Sequence, residues 1–265
     1  MSRDQAAAEA ALRAYSPRLF KLFTRYLDRY FARSFTAVRI LKPGLPALPS
    51  GQPLIFFSNH VGWWDPIFIL LICARLLPEH RHFGPIDEAA LRKYGFLRRV
   101  GLFPVSQETA RGAAQFLMTA RRLLAEPAVA LWLTPQGAFA DARARPVTFR
   151  PGLAHLASHA SQPVLVPVAI EYPFWSERQP EALMSFGQPI AAREQGGLGR
   201  AEWTDHLEQA LQSEMDRLAM AAIARDAAQF DELVVGHARV SPVYDAWRWA
   251  KARMKGERFS ARHKD

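Results

Sequence analysis

The stretch Pro53-Leu54-Ile55-Phe56-Phe57-Ser58-Asn59-His60-Val61-Gly62-Trp63-Trp64-Asp65-Pro66-Ile67-Phe68-Ile69-Leu70-Leu71-Ile72-Cys73-Ala74 sets how the rest of the chain is read. Its opening residues are apolar without alternation, as expected of a strand covered on both faces. The second apolar run is longer, opens on a proline and reads as a helix over 66–77. Between them lies a short loop holding a histidine, a glycine and a carboxylate. A strand buried on both sides that feeds a helix through a polar loop belongs to an α/β sheet. In such sheets the loops leaving strand ends are where reactive groups are exposed.

Working outward, strands and helices continue to alternate. Residues 81–84 and 100–105 read as strands, with a short helix over 87–95 between them. A helix over 108–125 places Ala113, Phe116, Leu117, Ala120 and Leu124 on one face, and Ala128 to Leu133 is the clearest central strand. A helix over 151–160, strands at 164–170 and 183–186, and a helix over 200–228 complete the series. The fold expected is α/β: a single domain with a mixed central sheet flanked by helices. An N-terminal amphipathic helical segment precedes it and a helical C-terminal extension follows. The divisions are 1–45 (a basic amphipathic helical segment), 46–200 (the α/β domain that holds the histidine loop) and 201–265 (the extension with a basic tail).

Upstream, residues 17–41 read as one helix with Ser16 as N-cap and Pro17 at its first position. Phe20, Phe23, Leu27, Tyr30 and Phe31 recur at helical spacing, and Arg18, Lys21, Arg25, Arg29 and Arg33 fall mostly between them. Such a face suits the headgroup boundary of a bilayer, where rings enter lipid and cations meet phosphate. It would equally pack on its own domain and leave a solvated basic rim. The tail Trp247-Arg248-Trp249-Ala250-Lys251-Ala252-Arg253-Met254-Lys255 reads as a second anchor or as a solvated end.

The net charge of +9 is concentrated at the two ends. Residues 1–45 carry nine Lys/Arg against three Asp/Glu, and 236–265 carry eight against three. The middle holds 17 against 19. A basic end can meet nucleic acid, an anionic lipid surface, a phosphorylated cofactor or an acidic carrier protein, and charge alone does not choose among them. The near-neutral middle, with the motif blocks of that middle, leaves nucleic acid unexpected as a partner. The one cysteine, Cys73, excludes an intrachain disulfide and lies inside an apolar run as a small hydrophobe. The first fifteen residues are Ala-rich but carry Arg3, Asp4, Glu9 and Arg13, unlike a secretory leader. No apolar run approaches the roughly 18 residues that a membrane-spanning helix needs. The expected location is the cytoplasmic face of a membrane, peripheral or monotopic.

Four residues separate His60 from Asp65, so a compact loop can bring the carboxylate to the imidazole. A carboxylate on one ring nitrogen fixes the tautomer and leaves the other free to take a proton from an alcohol. That alcohol attacks an activated acyl carbonyl directly, without an enzyme nucleophile. Asp65 before Pro66 is also a good helix N-cap, and His60 alone could be a bonded histidine at a strand end. His155 and His159 share a helix face at i and i+4 but lack an intervening glutamate and a third ligand, so no metal site is expected.

Asn59-His60 followed by Asp65 after a hydrophobic strand resembles the first motif block of the glycerolipid acyltransferase family, the lysophosphatidate-type enzymes and their relatives. Later blocks appear in order. Leu91-Arg92-Lys93-Tyr94-Gly95-Phe96 with Gly101-Leu102-Phe103-Pro104-Val105 resembles the second. Leu133-Thr134-Pro135-Gln136-Gly137 resembles the third, and Phe149-Arg150-Pro151-Gly152-Leu153-Ala154 the segment after it. Val166-Pro167-Val168-Ala169-Ile170 resembles the fourth. The resemblance covers about residues 50–175, and an ordered set of blocks is far more specific than any one.

That resemblance implies His60 as general base and Asp65 as its orienter. The donor it implies is an acyl thioester of coenzyme A or acyl carrier protein, with no resident cofactor and no metal. It also implies a lipid acceptor bound around Asn59, Gln107, Pro135, Gln136, Gly137, Phe139 and Arg150. Where lysophosphatidate enzymes carry an arginine, a glutamate and a further arginine, this chain reads Gln107, Gln136 and Phe139. Losing two guanidinium groups removes the bidentate contacts that suit a phosphate. The expected acceptor is therefore a neutral, glycosylated or zwitterionic lipid with a free hydroxyl, unless Arg111, Arg143, Arg145 or Arg150 supplies the charge. The alternative is an inactive relative that binds lipid or recruits a partner.

Overall fold

The computed structural model describes residues 3–49, 51–106, 109–158, 163–236 and 253. Seven helices occur among them: α1 (Arg3–Ala14), α2 (Pro17–Ser34), α3 (Asp65–Leu76), α4 (Glu88–Lys93), α5 (Ala110–Leu124), α6 (Gly152–Ala157) and α7 (Arg200–Ala224). The strands are β1 (Ala37–Leu41), β2 (Leu54–Ser58), β3 (Arg81–Asp87), β4 (Leu102–Val105), β5 (Val129–Leu133), β6 (Val164–Glu171), β7 (Ala182–Phe186), β8 (Ile190–Ala191) and β9 (Phe230–Val235). They form one mixed sheet in the order β4-β3-β5-β2-β6-β7-β1-β9, with β8 beside the start of β6. From β4 to β6 every pairing is parallel, and β7 and β9 run antiparallel to β6 and β1.

Because both faces of the sheet are covered, successive residues of β2 enter different layers. Leu54 and Phe56 point to the layer of α2 and α3, together with Trp132, Val166, Val168 and Ile170. Ile55 and Phe57 point to the layer of α5, α6 and α7, with Leu131, Leu165, Leu207 and Leu211. This double burial is why the strand is a continuous apolar run. On α5 the buried positions are Gly112, Thr119, Ala120, Leu123 and Leu124, and Ala113 is exposed, so the expected apolar face is rotated slightly.

Two expected elements need correction. The helix begins as read, with the Ser16 side chain accepting from the Leu19 amide at 3.3 Å, but it stops at Ser34. Residues 37–41 are a strand whose backbone pairs with β7 on one side and β9 on the other. The helical extension expected from 201 likewise ends at Ala224, and 230–235 close the sheet as β9. The Trp-rich tail over 247–255 lies outside the described residues apart from Arg253.

The aromatic face of α2 is divided between core and surface. Phe20, Leu27 and Phe31 are buried against the sheet and α3, while Leu22 and Tyr26 are exposed beside Lys21, Arg25, Arg29 and Arg33. Rings continue along the surface from α2. Phe96 meets Phe23 at 5.4 Å, Phe23 meets Tyr26 at 6.1 Å, Tyr26 meets Tyr30 at 5.7 Å, and Tyr30 meets Trp64 at 5.5 Å. Trp63, in the loop after β2, extends this line into solvent.

Under the sheet His82 is buried with both ring nitrogens satisfied. Nε2 donates to the Leu77 carbonyl at 2.9 Å and Nδ1 accepts from Trp132 Nε1 at 3.1 Å. Burial holds its pKa down from 6.5 to about 4. An unfolded chain takes up this proton below about 6.5 and the folded one does not until about 4, so stability present above 6.5 is lost as pH falls through that window. The expected loss attributable to His82 is about 3 kcal/mol. His82→Gln keeps one donor and one acceptor without titrating. Denaturant melts at neutral and acid pH should show the wild type losing more stability than the variant, and equal losses would contradict this account.

Candidate active site

His60 leaves the C-terminal end of β2, the strand held between β5 and β6 in the middle of the sheet. Before it, Asn59 is almost fully buried. Its Nδ2 donates to the Ile170 carbonyl at 2.9 Å and its Oδ1 accepts from the Ile170 amide at 2.8 Å. This carboxamide extends the β2–β6 ladder by one step beyond the last paired residues. Asn59, read from the sequence as a substrate contact, has both its polar groups bonded to Ile170 and so clamps the end of β2.

The main chain of His60 is gripped on both sides by the turn after β5. Its amide donates to Gln136 Oε1 at 3.0 Å, and its carbonyl accepts from the Ala140 amide at 2.8 Å. That turn closes through a bond from the Gly137 amide to the Thr134 carbonyl at 3.0 Å. Gly137 has φ +69°, and a Cβ there would collide with Arg150 Nε, which lies across it. The glycine therefore serves both the left-handed turn and the close approach of the guanidinium. The Arg150 amide donates to the Pro135 carbonyl at 2.9 Å. Pro135, Gln136, Gly137, Phe139 and Arg150 are thus brought together beside the histidine. Gln107 lies outside the described residues.

The His60 side chain places Nδ1 2.7 Å from Asp65 Oδ2. Asp65 is 1% exposed, and it also accepts from the Gly62 amide at Oδ2, 3.0 Å, and from the Tyr172 hydroxyl at Oδ1, 2.8 Å. None of these donors is an amide from the first turn of α3, and the residue preceding that helix, Trp64, makes no capping bond. The helix-cap explanation of Asp65 therefore fails. Its carboxylate is directed to the imidazole, from the helix end that best tolerates negative charge. A carboxylate on Nδ1 selects the tautomer that carries its proton there, which leaves Nε2 as the accepting nitrogen.

Phe139 lies 4.5 Å from the His60 ring, centroid to centroid and edge-on, and is 63% exposed. The arginines nearby are engaged. Arg143 forks onto Asp141 through Nε and Nη2 at 2.9 and 2.8 Å, an ion pair that holds the Asp141 carboxyl well below the usual range. Arg145 meets Asp216 Oδ1 at 2.9 and 2.7 Å. Both also face Glu171, whose pKa is raised by burial and only partly drawn back by these cations. Arg111 is exposed at the start of α5. Away from this cluster, His155 Nε2 meets Arg121 Nη2 at 2.5 Å, and His159 lies outside the described residues.

The Acyltransferase family matches residues 39–171, half of the chain, from β1 to the end of β6. The chain belongs to the acyltransferase family. The matched span contains His60, Asp65, the turn over 134–140 and Arg150. Membership makes this an acyl-transferring enzyme, with an acyl donor and an acceptor as substrates. Among solved structures, the chain is similar to the 1-acyl-sn-glycerophosphate (LPA) acyltransferase PlsC from Thermotoga maritima. The TM-score is 0.54 at 15% identity, over 76% of this chain and 79% of that one. At that identity the likeness is one of fold. No curated protein matches the chain. No helix among the described residues is long and apolar enough to cross a membrane.

Sequence reasoning missed Tyr172. Its signal was present, since it directly follows the strand of the fourth block, but the residue gains meaning only once β6 is known to lie beside β2.

Proposed function

We propose that this acyltransferase moves a fatty acyl group from a thioester of coenzyme A or acyl carrier protein to a free hydroxyl of a lipid at a membrane surface. The observation that carries the reading is the His60 Nδ1–Asp65 Oδ2 contact at 2.7 Å, made by a carboxylate that caps no helix. With Nδ1–H held by Asp65, His60 Nε2 takes the hydroxyl proton as the acceptor oxygen attacks the thioester carbonyl. Collapse of the tetrahedral intermediate forms the ester and breaks the carbon–sulfur bond. The imidazolium returns its proton to the departing sulfur. Asp65 does not change charge; it keeps the ring in the productive tautomer and supports the transient cation.

The acceptor in this reading is a neutral, glycosylated or zwitterionic lipid. An exposed phenyl ring stands beside the base, where a phosphate would want a guanidinium. Gln136 spends its carbonyl on the His60 amide, and Arg143 and Arg145 are paired with carboxylates. The line of rings from Phe96 to Trp63, exposed at Phe96, Tyr26 and Trp63, with the basic side chains of α2 beside it, supplies a surface suited to anionic lipid at the mouth of the site.

The test is purified enzyme, acyl-CoA and acyl-carrier-protein donors, and an acceptor panel of lysophosphatidate, lysophospholipids and glycolipids, scored by mass spectrometry. Transfer to the uncharged or zwitterionic members is expected to exceed transfer to lysophosphatidate. Phe139→Arg should raise the relative use of lysophosphatidate about tenfold or more, the scale of one charge-assisted contact. A wild type that prefers lysophosphatidate would refute the acceptor assignment. Absence of any transfer dependent on His60 would leave a lipid-binding relative in its place.

A further inference from the structure

We propose that Tyr172 is a positioning residue of this site: its hydroxyl holds Oδ1 of Asp65 so that Oδ2 stays aligned on the His60 imidazole. The kinetic part of this proposal rests on the function proposed above; the geometric part stands without it.

The physical argument starts from what a buried carboxylate requires. Asp65 is 1% exposed, and its two oxygens need donors to replace water. Oδ2 has two, the His60 ring and the Gly62 amide, while Oδ1 has the Tyr172 hydroxyl at 2.8 Å. Removing that hydroxyl would leave Oδ1 buried without its donor. Such a group relieves the cost by rotating, or by concentrating its charge on the donors that remain. Either response acts on the one bond that orients the base.

Tyr172 is built for this task in two further respects. Its ring is packed against Phe35 at 5.7 Å and Phe68 at 5.9 Å, so the hydroxyl has little freedom to leave. Burial first, and then the neighbouring Asp65, push its pKa well above the ordinary phenol value, so it remains a donor. The end of β6 thereby grips the catalytic loop twice. Ile170 is held by Asn59 ahead of the histidine, and Tyr172 holds Asp65 behind it.

Tyr172→Phe removes the hydroxyl and keeps the ring contacts, and 3,5-difluorotyrosine at the same position makes a stronger donor. Two readouts are needed. The first is steady-state transfer, in which Tyr172→Phe should lower kcat about tenfold, the worth of one hydrogen bond to a charged group, with KM within about twofold. The second is the downfield proton resonance of the His60 Nδ1–H, identified by its loss in His60→Gln. It should move upfield in Tyr172→Phe, as Oδ2 loses its alignment on the ring, and stay downfield with difluorotyrosine, which keeps a donor on Oδ1. An upfield displacement in Tyr172→Phe alone, together with the kcat effect, is the expected result. An unmoved resonance would reduce Tyr172 to packing, and an unchanged kcat would remove it from the reaction; either overturns the proposal. If the resonance responds as stated while the wild type transfers no acyl group to any acceptor, the functional reading fails and the placement of Tyr172 stands.

Discussion

His60→Gln is expected to lower acyl transfer by about 10²–10⁴-fold, the range that a positioned general base contributes. The variant should remain folded, since His60 is a partly exposed loop residue whose structural bonds run through its backbone amide and carbonyl. Asp65→Asn should cost nearly as much. An amide presents a donor to Nδ1 on one side, favours the wrong tautomer and cannot support the imidazolium. Because the two residues act as one unit, the double variant should be little worse than either alone. Release of free thiol from an acyl thioester, followed with and without acceptor, measures all three. A single variant that keeps more than about a tenth of wild-type turnover would show that the base lies elsewhere.

The second large effect is on stability. Arg39→Leu is expected to destabilise the fold by about 3–5 kcal/mol, the scale for breaking a buried ion pair from one side. Arg39 projects from β1 with Nε 3.0 Å from Glu181 Oε2 and Nη1 3.0 Å from Glu232 Oε2, and its guanidinium lies 5.7 Å from the Trp175 ring centre. Glu181 is almost fully buried, so its carboxylate would lose its cation without gaining water. The defect should be smaller in Arg39→Leu combined with Glu181→Leu, which removes the buried carboxylate together with its cation. Denaturant unfolding of the three proteins tests this. A loss below about 1 kcal/mol for Arg39→Leu would mean that the pair is solvated or that the strand yields around it.

Local chemistry accounts for what was legible beforehand. The strand–loop–helix unit over 54–76 could be read because a doubly buried strand and an apolar helix leave different run lengths, and the loop between them is too short to hide its reactive residues. The boundary at Ser34 was not legible. Phe31, Phe35 and Val38 continue a helical spacing, and the partners that turn 37–41 into a strand sit at 182–184 and 230–235, far along the chain. β9 was missed for the same reason, since its assignment depends on β1. At the site, the approach of His60 to Asp65 follows from spacing, whereas the roles of Asn59 and Tyr172 follow from β6 lying next to β2, which no local pattern records. The arginines near the site were candidates on sequence distance alone. Two of them, Arg143 and Arg145, pair with Asp141 and Asp216, and Asp216 lies far along the chain on α7.

The grip of the 134–140 turn on the backbone of His60 has a consequence for how this enzyme can change. One short segment carries the exposed ring of Phe139 and, through Gln136 and Ala140, both main-chain anchors of His60. On the function proposed above, selectivity and turnover are therefore not independent settings. A variant library aimed at new acceptors through residues 136–140 will also disturb the alignment of the imidazole, and gains in one property will be correlated with losses in the other. Engineering that seeks to separate them has to begin from surfaces that do not touch this segment.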